Sequence, residues 1–151
     1  MKLDRRLWFA IAIGVIAVVV LVLSRIGAFG HSSEECAPVK DMLAFNKAQG
    51  EQIASKTGDA QGIPTIAEEA SYQAWADGMA ERAQKVTSPD LARTATMVAT
   101  LANDFVSKLS LVRSQADSRA PGAPAPPAVY EMAALNARIS NSLEELAKAC
   151  S

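Results

Sequence analysis

Histidine is almost missing from this chain, with His31 the only one in 151 residues. A Ser or Cys nucleophile therefore has no second imidazole to serve it as a base, and no activated Lys stands on a recognisable motif. A di-metal helical bundle needs Glu-x-x-His pairs, and none is present. The eight glycines are scattered and make no phosphate-cradling loop. Basic runs are also absent. Residues 31–151 carry eleven Lys and Arg against fifteen Asp and Glu, a net charge of minus four with His31 neutral, so no surface is expected for nucleic acid. These shortages lead to expectations of no enzymatic activity, no cofactor and no metal.

What is present begins with an apolar run. Leu7 to Leu23 is seventeen residues without a charge or strongly polar group. At about 1.5 Å per residue, and with Ser24 and Ile26 at its margin, a helix here nearly matches a hydrocarbon core of roughly 30 Å. Lys2, Arg5 and Arg6 precede it and outweigh Asp4, which favours an N-terminus inside and a C-terminal domain outside. A cleavable signal peptide is the rival reading. Ala28-Phe29-Gly30 is a poor cleavage site, however, and Arg25 interrupts the stretch before it. The expected organisation is a cytoplasmic stretch 1–6, a signal-anchor helix 7–26, a juxtamembrane linker 27–35 and an extracytoplasmic helical domain 36–151. Ala10 and Gly14 form a small-x-x-x-small pair available for helix packing in the bilayer.

Cys36 and Cys150 bracket the outer domain. In an oxidising compartment an even cysteine count reads as one disulfide, with two buried free thiols as the alternative. Between them the apolar spacing is helical. Helix one opens near Pro38 and carries Cys36, Val39, Leu43, Asn46, Gly50 and Ile53. Helix two opens with the capping box Thr65-x-x-Glu68 and carries Ser71, Trp75, Gly78, Met79, Arg82 and Val86. Ala70, Ala74 and Gly78 repeat every four residues and would let a neighbour approach.

Ser88-Pro89-Asp90 is a strong start signal for helix three. Its row Leu91, Ala95, Val98, Ala102, Phe105, Leu109, Val112, Ala116 keeps a four-three repeat, the mark of a seam packed at a shallow angle. The segment 120–127 is Ala-Pro-Gly-Ala-Pro-Ala-Pro-Pro, which cannot continue a helix. Helix four follows with Val129, Met132, Asn136, Ile139, Leu143, Leu146 and Cys150. The expected fold is all-α, an antiparallel up-down-up-down four-helix bundle after the transmembrane helix. An even number of alternating helices returns the chain to its starting level, so Cys36 and Cys150 can meet.

Few residues stand out as sites. The pairs Glu34-Glu35, Glu68-Glu69 and Glu144-Glu145 point about 100° apart on a helix and read as capping or solvated groups. Asn46 and Asn136 interrupt apolar stripes, as register devices or as the lining of a polar pocket. Met42 and Phe45 form a second apolar edge, either core or interface, and Tyr72 and Tyr130 are further candidate interface residues.

In its basic N-terminus, single anchor and Ala-rich helical domain flanked by Cys36 and Cys150, the chain resembles small exported single-pass membrane proteins of actinobacteria, including mycobacteria. The resemblance is one of architecture and composition. It implies an accessory or scaffold role in a cell-envelope membrane complex, with subunits of that complex as partners and the bilayer contacting residues 7–26. The alternatives are a module holding an apolar or lipid-like ligand between helices, or a sensor-type ectodomain.

Overall fold

The computed structural model describes residues 31–57 and 64–151. They form four α-helices: α1 (Ser33–Thr57), α2 (Ile66–Ala83), α3 (Pro89–Asp117) and α4 (Pro127–Ala149). None of these helices is long and apolar enough to cross a membrane. The expected anchor 7–26, with Ala10 and Gly14, lies outside the described residues.

The start of α1 differs from expectation. It begins at Ser33, five residues before Pro38, so the first part of the helix takes up the end of the expected linker 27–35. The cause is a second capping box. The Ser32 backbone N–H donates to Glu35 Oε2 at 2.8 Å, and the Glu35 N–H donates to Ser32 Oγ at 3.2 Å. Two N–H groups that the first turn would leave unpaired are thus satisfied reciprocally. Pro38 is carried inside the helix, where the bond that residue 38 would donate to the Glu34 carbonyl is given up.

The box at α2 is as expected, with the Thr65 N–H donating to Glu68 Oε2 at 2.6 Å and the Glu68 N–H to Thr65 Oγ1 at 3.3 Å. At α3, Ser88 is the N-cap residue and Pro89 opens the helix, but the Ser88 hydroxyl does not cap the backbone. It donates instead to Asp90 Oδ1 at 2.8 Å.

Side-chain partners give the direction of each helix. Along α1 and α2 the pairs run Asp41 with Arg82, Asn46 with Trp75 and Lys56 with Ser71, one number rising as the other falls. Between α2 and α3 they run Glu69 with Arg113 and Trp75 with Phe105. Between α3 and α4 they run Met97 with Ser142, Lys108 with Glu131 and Gln115 with Ala128. Each neighbour is therefore antiparallel to the last. Cys36 and Cys150 fall at the same end and are bonded, with 5.4 Å between their Cα atoms.

Fully buried side chains come from every helix: Val39 and Met42, Met79, Val98, Leu109 and Val112, and Ile139, Leu143 and Leu146. Each large apolar side chain so removed from water contributes about 1.5–3 kcal/mol before entropy is counted. The four-three row of α3 lies in this core, widened by Ala99, Leu101 and Val106. Alternation with the other helices explains the width, because α3 packs on both α2 and α4.

The small-residue row of α2 is only partly used. Ala70 and Ala74 face solvent, while Gly78 lies against the Phe45 ring of α1. A Cβ at position 78 would stand 2.1 Å from Phe45 Cζ. In Gly78→Ala this overlap should outweigh the helix-propensity gain of about 1 kcal/mol and destabilise by about 1–3 kcal/mol. With Phe45→Ala also present, the same change should become neutral or stabilising in urea unfolding. A cost that persists without the ring would contradict this packing.

Candidate functional site

Three groups of polar side chains are built into the bundle. At the disulfide end, His31 Nε2 lies 3.1 Å from Asp90 Oδ2, joining the chain two residues before α1 to the first turn of α3. The Ser32 backbone N–H, and then its hydroxyl, hold the Glu35 carboxyl below the usual carboxylate range. The Ser88 hydroxyl does the same for Asp90. Cys36, next to Glu35 in sequence, is buried with Cys150, and the two are engaged in a structural bond.

The second group lies between α1 and α2. Asn46 is buried, and its Oδ1 accepts from Trp75 Nε1 at 2.9 Å. This pairing satisfies the indole donor, which would otherwise be costly inside an apolar core. Nearby, the Arg82 guanidinium lies 3.8 Å from the Phe45 ring centre, its Nε is 3.1 Å from Asp41 Oδ2, and its Nη1 donates to the Gly78 carbonyl. The third group ties the loop before α2 to α3. Arg113 Nε donates to the Pro64 carbonyl at 3.1 Å and Nη2 to Glu69 Oε2 at 2.6 Å. All three groups clasp one element to another.

The expected interface residues separate into different environments. Met42 is fully buried, which removes it as an interface residue; it sits one turn from Val39 and Asn46 and shares their inward face. Phe45 is half-buried under Arg82. Tyr72 is also half-buried, its ring 5.8 Å from that of Phe105, and burial followed by the nearby Glu68 pushes its hydroxyl pKa up. Only Tyr130 is open, at 63% exposure. Asn136 is half-buried on α4, while Asn46 is buried on α1 with Trp75 as its partner.

The carboxylate pairs are used singly. Glu68 caps α2 while Glu69 holds Arg113, and Glu144 pairs with Lys148 one turn away. Among the described residues, no group of three or more His, Cys, Asp or Glu is placed to hold a metal ion.

The proline-rich connection is docked rather than free. Ala123 N–H donates to the Ala120 carbonyl, closing a turn over Pro121 and Gly122, where Gly122 has φ of 84°. A positive φ at the third position of such a turn suits glycine. Beyond it, Ala125 packs against the core and Pro126 precedes the first residue of α4.

No family model, curated protein or solved structure matches this chain.

The lowered carboxyls set a pH dependence. A carboxyl whose folded pKa lies below its unfolded value adds stability above about pH 4, and that stability is lost as pH falls through the folded pKa. Urea midpoints should therefore hold level from pH 7 to about pH 5 and drop below about pH 4. The double variant Glu35→Gln/Asp90→Asn should show a shallower acid limb, and an unchanged limb would contradict the role given to Ser32 and Ser88.

Proposed function

We propose that the chain is a membrane-anchored accessory or scaffold protein acting on the extracytoplasmic side of a cell-envelope membrane complex. The observation that carries this reading is the combination of an intramolecular disulfide at one end of the bundle with the uninterrupted apolar run Leu7–Leu23 upstream. Disulfides persist on the oxidising side of a membrane, and the basic residues before the run favour its retention with the N-terminus inside. The chain would leave the bilayer and enter the bundle at the disulfide end, since Cys36 follows the run closely.

The architecture in this reading is a transmembrane signal anchor followed by an up-down-up-down bundle, like that of small exported actinobacterial membrane proteins. Its activity would be non-enzymatic and exerted through exposed helix faces toward other membrane subunits. A ligand-holding interior has weaker support, because Asn46 is already engaged by Trp75 and the positions between helices are occupied by buried side chains such as Met42, Met79 and Leu143.

Purification of the tagged full chain in mild detergent should recover a stoichiometric membrane partner. External protease should also digest the bundle in intact spheroplasts. Repeated recovery of this chain without another subunit would count against the scaffold role, and full protection from protease would count against the orientation.

A further inference from the structure

We propose that the connection between α3 and α4 is a ligand for an aromatic-lined groove on a partner protein, presented by its prolines together with Tyr130. From Ala120 to Tyr130 the chain runs eleven residues without a charge, and four of them are proline. Ala123 to Pro126 lie outside any helix or turn. Local sterics set their conformation. The ring holds φ of Pro124 and Pro126 at about −65°, and a residue that precedes proline is kept in the extended region, which applies here to Ala123, Ala125 and Pro126. Pro126 shows it directly, with φ of −62° and ψ of 153°. This is polyproline II backbone, which turns once in three residues.

Burial follows that period of three. Ala125 packs against the core, Ala123 and Pro126 are half-buried, and Pro124 and Pro127 are exposed. One side of the segment is thus seated on the bundle, and another presents two proline rings about 9 Å apart along a ridge. Pro121 stands off this line, because the turn closed by the Ala123 N–H on the Ala120 carbonyl bends the chain at Gly122.

Apolar surface continues from the ridge onto the helices. Tyr130, 63% exposed, lies three positions beyond Pro127 on the same side of α4. On α3, Leu111 is 42% exposed and stands between Lys108 and Gln115, which reach Glu131 and the Ala128 N–H at the start of α4.

The chemistry and place of the ridge select its occupant. Rigid pyrrolidine rings three residues apart fit between aromatic side chains, and a segment already ordered gives up little entropy on binding. Among the described residues nothing donates to the carbonyls of Ala123, Pro124 or Ala125, which leaves them for indole N–H or phenol O–H groups of such a groove. Without a charge along the segment, an acidic or basic surface has nothing to pair with here. The ridge also lies at the end of α4 opposite the disulfide, about 35 Å from Cys150, so in the anchored arrangement it faces away from the bilayer. This surface rests on the accessory role proposed above and gives that role its point of contact.

The tagged full chain, purified in mild detergent, serves as the probe. Its affinity for the recovered membrane partner should fall roughly tenfold in Pro124→Ala/Pro127→Ala and in Tyr130→Ala, and stay within about twofold in Pro121→Ala, which lies off the ridge. An intact disulfide and an unchanged thermal midpoint verify that each variant is folded. A benzophenone side chain in place of Pro124 should cross-link the partner beside a Trp or Tyr, as read by peptide mass analysis. Recovery of no partner would remove the accessory role and this surface with it. A partner held equally well by both ridge variants, or cross-links that fall on lipid, on a second copy of this chain or on a site without aromatic residues, would overturn the proline ridge alone.

Discussion

The bond between Cys36 and Cys150 ties the first helix to the last at one end of the bundle, across a sequence separation of 114 residues. Apart from this bond α1 and α4 touch much less than any other neighbouring pair, because α1 packs chiefly on α2 and α4 on α3. The disulfide therefore closes the side of the ring that side-chain packing closes least. In the chain-entropy model, a cross-link over about 100 residues removes roughly 4–5 kcal/mol of unfolded-state freedom, a large fraction of the stability of a small domain. It also requires an even number of antiparallel helices, since an odd number would leave the cysteines a helix length apart.

Within that closure, polar contacts determine how the helices align. Asn46 with Trp75 ties α1 to α2 near the middle, and Arg82 with Asp41 and Phe45 repeats the tie toward the disulfide end. Arg113 with Glu69 and Pro64 ties α2 to α3 at the opposite end. Most of the apolar core would tolerate a small sliding of one helix along another. A buried Asn with a single indole partner would not, because slippage leaves both groups unsatisfied.

Local signals in the sequence were the most readable. The Thr65-x-x-Glu68 box and the Ser88-Pro89 start each depend on residues within one turn, and the long four-three row of α3 needs only its own spacing. Ser32-x-x-Glu35 is equally local, but Pro38 directs attention to a later start, and proline is tolerated here because α1 is already nucleated upstream. Width and partnership were less legible. Met42 is buried because α1 uses a broader face than a single stripe, and Tyr72 meets Phe105 only once α2 and α3 are aligned.

Helix parity and apolar packing bring Cys36 and Cys150 together at one end of the bundle, and the extracytoplasmic placement proposed above would keep their bond oxidised. Thiol alkylation of the native full chain, followed by digestion and mass analysis with and without reduction, tests it most directly. No cysteine should be alkylated before reduction, a single cross-linked peptide should join Cys36 to Cys150, and two alkylated cysteines should appear afterwards. Two free thiols in freshly isolated protein, or cysteines joined only between chains, would contradict it.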